Sequence, residues 1–446
     1  MAAVVGEKHV WTWREIHAAS LVLAEQLDDV TTLCNLCASR VGFLVTWLAA
    51  MRRGCLQLLP PSGGHADLFS MLQSCVRPLI IVDDIELLKP HWAEHARCMV
   101  HVPQVMSSLV DGGDLWWTPD WDDPKVHLYT SGSTGTPEPQ TRTLRQLVRG
   151  AQLLGAQLDS AIDGGLQSVH QIISSVPPQH MFGVETSVML SLVHGISVHE
   201  CRPLLAADIC AALARCESAA AWVATPLHLR AVVQSGETLP NCRIVISSTM
   251  PLAPALALQT ELLAAAPVLE IYGSTETGAI AIRQSACSTQ WRVMAGVRIE
   301  TRSPGTGILV WGEHFPSPQT LEDAIETDSE GAFRLLGRQG DVIKIAGRRA
   351  SLAGLNQLLQ DLPGLSDGVF YLPDTGDATQ RLALIYAGKS LDRAATATWL
   401  RERMDPVFLP RSVIRVERLP RTDNGKLPQA ALAQIFAAWL TDLNKR

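Results

Sequence analysis

The chain reads as an α/β protein, and three features predict that class. Short apolar runs of strand type alternate with stretches whose apolar residues recur at helical spacing. A length of 446 residues with 47% hydrophobic content suffices for two or more domains with ordinary packed cores. Glycine- and hydroxyl-rich clusters follow strand-like runs, and α/β sheets bind ligands at the C-terminal ends of their strands.

Residues 13–27 carry the first helical pattern, with Thr12 as a cap and Glu15 completing a capping box. Residues 41–51 are too short to cross a bilayer and lie between Arg40 and Arg52, so they read as a buried helix. A strand is expected at 79–82, entered from Pro78, and another at 221–224 after an alanine-rich helix around Ala211. Strands at 243–246 and 268–271 continue the alternation, and a Gly/Pro-rich break follows at 303–307. A short strand at 333–336 precedes the sharpest boundary, Gly337 to Asp341. The N-terminus lacks the charged start, apolar core and small-residue cleavage site of an export signal, so a cytoplasmic protein without a membrane span is expected. Ten scattered cysteines suit a reducing compartment, and Cys34-x-x-Cys37 has no second pair to complete a zinc site.

Charge divides the chain at the same boundary. Residues 342–446 hold 15 Lys/Arg against 10 Asp/Glu, a balance of +5, whereas the whole chain is −7 and residues 1–341 therefore −12. A basic C-terminal part suits an acidic partner or phosphate groups, and a solvated surface is the alternative. No nucleic-acid partner is expected.

Four segments carry the chemistry. The first, Tyr129-Thr130-Ser131-Gly132-Ser133-Thr134-Gly135-Thr136-Pro137, lacks the Gly-Lys-Ser/Thr of a Walker loop. Its hydroxyls and the N–H groups exposed at Gly132 and Gly135 can still donate to phosphate oxygens. A flexible linker is the alternative, against which the apolar approach His127-Leu128-Tyr129 argues. The second, Ile271-Tyr272-Gly273-Ser274-Thr275-Glu276-Thr277-Gly278, ends a strand-like run; a capped helix start is its alternative. The third is Gly337-Arg338-Gln339-Gly340-Asp341-Val342-Ile343-Lys344. In the fourth, Leu419-Pro420-Arg421-Thr422-Asp423-Asn424-Gly425-Lys426-Leu427, a tight Asn-Gly turn projects Lys426.

In this order the segments resemble the signature of the adenylate-forming superfamily of acyl-CoA synthetases, nonribosomal adenylation domains and luciferases. The resemblance implies an adenylating domain of layered sheets and helices at 1–337, a hinge at 338–341 and a small mobile α+β domain at 342–446. It implies ATP and Mg²⁺: Thr130, Ser131, Gly132, Ser133, Thr134 and Gly135 at the phosphates, Glu276 on the metal, Thr275 at the α-phosphate, Tyr272 and Gly273 at adenine and substrate, and Arg338 at the ribose. Asp341 marks the swivel, Lys426 neutralises charge during adenylation, and Lys344 and Arg348 serve transfer to the thiol. Relatives carry a lysine where this chain has Glu138, and Arg142 is nominated to supply the missing charge. The usual Thr-Gly-Asp that grips the ribose is absent, and matching the spacing nominates Asp323, with a surface acid as the alternative. Val176-Pro177-Pro178-Gln179-His180-Met181-Phe182-Gly183-Val184-Glu185 resembles the segment lining the substrate, placing His180, Phe182 and Gly183 there. Ser248 and Thr249 fall in the small-residue loop between substrate and adenine, and His180 as an ordinary core histidine remains the alternative.

The segment from Gln179 to Glu185, Gly347-Arg348-Arg349-Ala350-Ser351-Leu352 and Asp405-Pro406-Val407-Phe408-Leu409-Pro410-Arg411 look like the short stand-alone ligases of aryl polyene and xanthomonadin-type pigment biosynthesis. That likeness implies a hydroxybenzoate or hydroxycinnamate type of acid, loaded as acyl-adenylate onto the phosphopantetheine of an acyl carrier protein or CoA. A short- or medium-chain fatty acyl-CoA ligase and a degenerate nucleotide-binding regulator are the rival readings.

Overall fold

A computed structural model describes the chain except residues 7–8, 61–67, 69–70, 73–74, 95, 104–116, 124, 131–137, 302–306, 339–341, 346–347, 360–361, 374–380, 422–426 and 445–446. At 90–91, 130, 338, 342, 344, 349, 351, 357 and 443–444 it describes the backbone alone. Two compact units result: Met1–Ser288 with Arg292–Arg298 and Trp311–Gln319, and Thr320–Arg446 with Thr289–Trp291 and Ile299–Val310.

The first unit holds strands β1 (Ala2–Val5), β2 (Val10–Thr12), β3 (Thr32–Asn35), β4 (Leu56–Leu59), β5 (Leu79–Val82), β6 (Arg97–Val100), β7 (Val126–Thr130) and β8 (Glu138–Arg142). There follow β9 (Gln171–Ser174), β10 (Ser197–His199), β11 (Ala220–Ala224), β12 (Cys242–Ser247), β13 (Val268–Ser274), β14 (Gly278–Gln284) and β15 (Arg292–Val293). Its helices are α1 (Trp13–Glu25), α2 (Arg40–Arg52), α3 (Leu144–Ala161), α4 (Leu190–His194), α5 (Ala206–Ala214), α6 (Pro226–Ser235) and α7 (Pro254–Ala264). Thr12 and Glu15 cap α1 reciprocally, as the sequence expects. The apolar stretch read as a buried helix is α2, buried from Arg40 through Ala50.

Two sheets form, ordered β15-β14-β13-β12-β11-β9-β10-β1-β2 and β6-β5-β3-β4-β7-β8. Each has a parallel interior and antiparallel edges, β14–β15 and β2 on the first and β8 on the second. The side-chain period of two sends successive residues to opposite faces. Leu79 and Ile81 thus join α1, α2 and the start of α3 in one core, while Ile80 and Val82 join a second on the other face. Val4 of β1 lies in that first core as well, so helices are packed between the two sheets. Ala221 and Val223 likewise face α3, whereas Trp222 and Ala224 face α5, α6 and α7. The layered α/β build that the resemblance implied is present.

The chain then passes through a sheet of β16 (Arg298–Thr301), β17 (Ile308–Trp311) and β18 (Gln319–Leu321). In the second unit β19 (Asp323–Thr327) pairs with β20 (Phe333–Arg338), and β21 (Val342–Ile345) with β22 (Arg348–Ser351). Helix α8 (Leu352–Leu358) comes next, and a three-stranded sheet joins β23 (Leu365–Tyr371), β24 (Ala383–Gly388) and β25 (Ser412–Val416). Helices α9 (Arg393–Arg401) and α10 (Gln429–Asn444) complete the unit, whose sheet contributes residues to two apolar clusters. This unit therefore takes in the β19–β20 hairpin, which the sequence boundary at 337 assigned to the larger domain. Among the described residues no helix is long and apolar enough to cross a membrane.

Candidate active site

Two hairpins built onto parallel strands place the phosphate-type segments. The first, β7–β8, pairs Thr130 with Glu138 at its tip, so residues 131–137 form its connection. Ser131, Gly132, Ser133, Thr134 and Gly135 lie outside the described residues, and only the backbone of Thr130 is described. Glu138 is exposed beside that connection.

The second hairpin, β13–β14, turns through Thr275, Glu276 and Thr277, which excludes a helix start at that position. Ser274 donates its backbone N–H to Thr277 Oγ1 at 3.1 Å, and Thr277 Oγ1 donates to the Gly278 carbonyl at 2.8 Å, closing the turn on itself. Gly273 is required here, because a Cβ would stand 2.0 Å from the Gly278 carbonyl oxygen. The residues at 272–276 remain partly or fully accessible while Thr277 and Gly278 are buried, so the turn offers Thr275 and Glu276 outward.

Arg142 is corrected by the structure. It closes β8 opposite Val126, four residues from Glu138 and thus about 13 Å along the strand from the phosphate-type connection. Its side chain is 1% exposed and points inward, donating to the carbonyls of Thr141 and Thr275 at 2.9 Å each and to that of Glu276. Burial pushes the guanidinium down to about 10, with Glu185 and Glu276 pulling the other way. It remains charged at neutral pH, but it grips the second hairpin from beneath and is not free to lie on a phosphate.

The substrate segment starts a helical turn at Met181–Gly183, continues as a π-helix over Val184–Met189 and ends as α4. His180 caps it, Nδ1 accepting the Phe182 N–H at 3.3 Å. Half-buried at the entrance to the turn, His180 keeps both readings. Phe182 and Gly183 are buried, the ring in the apolar core with Val176 and Leu190, and Gly183 against the Pro177 carbonyl, which a Cβ would meet at 2.0 Å. Phe182 is therefore a packing residue rather than an open lining. The preceding stretch is held by Arg40, which the sequence did not single out. Its guanidinium donates to the carbonyls of Ser174 at 3.2 Å and Val176 at 2.8 Å, and to Ser187 Oγ at 3.2 Å.

Ser248 Oγ donates to the Ile271 carbonyl at 2.9 Å and ties the small-residue loop to β13. Thr249 has φ +79°, an outlier for a β-branched residue and a form of strain that concentrates at functional sites. From below, Glu270 Oε1 accepts the Leu252 N–H at 2.9 Å, while Oε2 accepts from Arg283 at 2.7 Å and Ser285 at 2.6 Å.

In the second unit Asp323 is 7% exposed and opens β19, which argues against the surface-acid reading. Arg338 closes β20, Lys344 lies in β21, and Arg348 is exposed in β22 with Nε 3.9 Å from Asp405. Asp341 and Lys426 lie outside the described residues. Among those described, the partly accessible Glu276 is the carboxylate that the β13–β14 turn presents, and no described side chain hydrogen-bonds to it. One such oxygen donor, with waters and nucleotide phosphates, fits the octahedral oxygen demand of Mg²⁺.

An α/β unit with the Thr275–Glu276 turn at the end of a parallel-strand run, followed by a second, smaller unit, fits the class of AMP-forming acid–thiol ligases, which the family match carries. Residues 1–314 match the AMP-binding enzyme family, and the chain belongs to that family. It is 26% identical over 314 residues to a 4-coumarate–CoA ligase of Cereibacter sphaeroides, spanning 67% of this chain and 69% of that one. A 4-coumarate–CoA ligase of Rhodobacter capsulatus is 29% identical over 240 residues, 53% of this chain and 57% of the relative. Among solved structures, the o-succinylbenzoate CoA synthetase of Bacillus subtilis with its acyl-adenylate superposes with a TM-score of 0.82 at 17% identity, covering 97% of this chain and 95% of that one. A benzoate CoA ligase of Burkholderia xenovorans gives 0.79 at 16% identity, covering 97% and 96%. At such identities the structural likeness is one of fold.

Proposed function

We propose that this enzyme activates a small aromatic acid of hydroxybenzoate or hydroxycinnamate type and loads it onto a phosphopantetheine thiol. The observation that carries the reading is the β13–β14 turn, which offers Thr275 and Glu276 at the end of a parallel-strand run while its backbone is gripped from below. Relatives named as 4-coumarate–CoA ligases support the aromatic class.

In the first step a carboxylate oxygen of the acid attacks the α-phosphorus of ATP. The bond from that phosphorus to the bridging oxygen breaks, and pyrophosphate leaves with the electron pair. Thr275 binds the α-phosphate, Tyr272 stacks on adenine, and Asp323 and Arg338 hold the ribose. Glu276 holds Mg²⁺, which when bound offsets phosphate charge. Lys426 stabilises the charge that develops between acyl oxygen and phosphorus, the electrostatic task that phosphoryl transfer sets. In the second step the thiolate attacks the acyl carbon and AMP departs. A swivel at 338–341 about Asp341 exchanges Lys426 for Lys344 and Arg348 at one site, so that two states of the 342–446 domain serve two reactions.

An acyl carrier protein is the favoured acceptor, because five arginines of the small unit, Arg401, Arg403, Arg411, Arg415 and Arg418, are exposed. The segments at 179–185, 347–352 and 405–411 support a place beside the aryl polyene and xanthomonadin-type ligases. Incubating the protein with ATP, hydroxylamine and a panel of aryl and fatty acids tests the reading. Hydroxamates of hydroxyaryl acids are expected; hydroxamates of fatty acids alone, or none, refute it.

A further inference from the structure

The stretch on either side of His180 is clasped from the other sheet, and the reaction scheme leaves that clasp unused. Arg40 opens α2, shortly after β3. That strand stands beside β4, and β4 beside β7, so Arg40 belongs to the sheet whose β7–β8 hairpin bears the phosphate-type connection. What it holds belongs to the other sheet. Ser174 ends β9, Val176 follows, and Ser187 lies in the π-helical stretch past His180.

The guanidinium is 2% exposed and spans the segment with one planar fork. Its Nη2 donates to the Ser174 and Val176 carbonyls before His180, and its Nη1 donates to Ser187 Oγ after it. The acceptors are tied in turn, since Ser187 Oγ donates to the Gly183 carbonyl at 2.7 Å and Ser174 Oγ to that of Val176 at 3.0 Å. A second span joins the same two parts: Gln179 Nε2 donates to the Cys37 carbonyl at 2.9 Å.

The base of the clasp is itself fixed. Asp83, just past β5, accepts the Ala38 N–H on Oδ1 at 2.8 Å and the Ser39 N–H on Oδ2 at 2.7 Å. A Cβ on Gly42 would stand 2.5 Å from that Oδ2, so glycine lets α2 start against it. The stability of α2 does not account for the arginine. A cation in the first turn opposes the helix dipole, and Arg40 is buried on two carbonyls and a hydroxyl, none of which carries a counter-charge.

We propose that Arg40, together with Gln179, braces the two sheets against each other and is a positioning residue that sets the acid's carboxylate for attack on ATP. The proposal rests on the assignment of the 176–185 segment to the acid and of the β7–β8 connection to the phosphates. Its physical basis is geometric. Attack needs the reacting atoms about 3–3.5 Å apart, and a misplacement of about 1 Å can cost about a hundredfold. Hydrogen bonds on both sides of His180 fix the acid segment to the sheet that bears the phosphate-type connection, which limits such drift.

Arg40→Lys keeps the charge and loses the fork that reaches three acceptors. Gln179→Leu removes the second span without disturbing a buried charge. With 4-hydroxybenzoate and 4-coumarate as probes, Arg40→Lys is expected to raise KM for the acid and lower kcat of adenylation, each about tenfold. Gln179→Leu should shift both several-fold in the same direction. Calorimetric Kd for Mg²⁺-ATP without acid should hold. Thioester formation from supplied acyl-adenylate should change much less, because there the bond between acid and phosphate is already made.

Wild-type acid kinetics in Arg40→Lys overturn the proposal, as does a loss that falls equally on ATP affinity and on both half-reactions, the mark of a merely structural role. If Arg40→Lys does not fold, Gln179→Leu and Ser187→Ala decide, since wild-type acid kinetics in both overturn it. His180→Ala separates the two layers. Unchanged KM for the acid in that variant refutes the substrate assignment and the proposal together, whereas a rise there without one in the brace variants refutes the positioning role alone.

Discussion

Asp323 and Arg338 are direct register partners across the antiparallel β19–β20 hairpin. The sequence nominated each for the ribose on separate grounds, one by spacing and one by motif. Their meeting on one hairpin sets the two nominated positions directly opposite one another across two strands.

The first prediction concerns that pair. Asp323→Asn keeps size and removes the charge that accepts from ribose hydroxyls. A charge-assisted hydrogen bond contributes about 1.5–3 kcal/mol, so KM for ATP should rise roughly ten- to hundredfold. With 3′-deoxy-ATP the penalty should shrink, because the lost partner is already missing. A penalty of equal size with both nucleotides removes Asp323 from the ribose.

The second concerns Glu138. Exposed at the start of β8 and paired with Thr130, it adds a negative charge beside the phosphate-type connection. Glu138→Lys should leave the melting temperature unchanged and lower KM for ATP at low salt, the gain fading as the Debye length falls from about 10 Å at 0.1 M to about 3 Å at 1 M. A rise in KM shows that the carboxylate contributes to the site.

How far the sequence could be read depended on the range of the interaction. The α1 capping box, buried α2 and strand β5 at Leu79–Val82 were legible because caps, apolar runs and flanking prolines act within a few residues. Arg142 was misread because four residues look close in sequence, yet in an extended strand they separate its side chain from the loop. Glu185 lay inside a quoted motif with no role assigned. Its Oε1 accepts the Ala279 N–H, 94 positions on, from a π-helical stretch that hydrophobic period does not reveal. The same limit placed Asp323 in the larger domain, since pairing with Arg338 is visible only after folding.

The third prediction tests what holds the small-residue loop. Arg283→Met strips the cation from buried Glu270, which also anchors Leu252. Removing one partner of a buried ion pair costs about 3–5 kcal/mol, measurable by urea unfolding at pH 8. Burial raises the pKa of Glu270, and Arg283 is the chief opposing influence. The loss should therefore shrink toward pH 5, where the stranded carboxylate takes up a proton. A pH-independent loss would falsify the charge explanation and leave packing as the cause.

The fourth concerns Lys426, whose proposed task is confined to one half-reaction. Lys426→Ala should lower adenylation about a hundredfold or more, the scale of one preorganised electrostatic contact. Thioester formation from supplied acyl-adenylate should survive. Equal loss in both halves contradicts separate states of the 342–446 domain.

The last concerns the acceptor. Arg401, Arg403, Arg411, Arg415 and Arg418 are all exposed, on a region with a +5 balance in a chain of −7. Two are already engaged in part: Arg403 Nη1 donates to the Trp399 carbonyl and to Glu402, and Arg415 Nε donates to the Gly388 carbonyl. Arg401, Arg411 and Arg418 are therefore the better steering charges. Complementary potentials act chiefly on encounter, so kcat/KM for an acidic carrier protein should fall several-fold between 0.1 M and 1 M salt. Arg411→Glu with Arg418→Glu should lower it likewise at 0.1 M, while adenylation in the same samples holds. CoA carries phosphates of its own but no protein docking face, so its reaction should respond less to the reversals than that of the carrier protein. If the reversals slow CoA and carrier protein equally, the arginines act on the shared phosphopantetheine path and not on a protein partner.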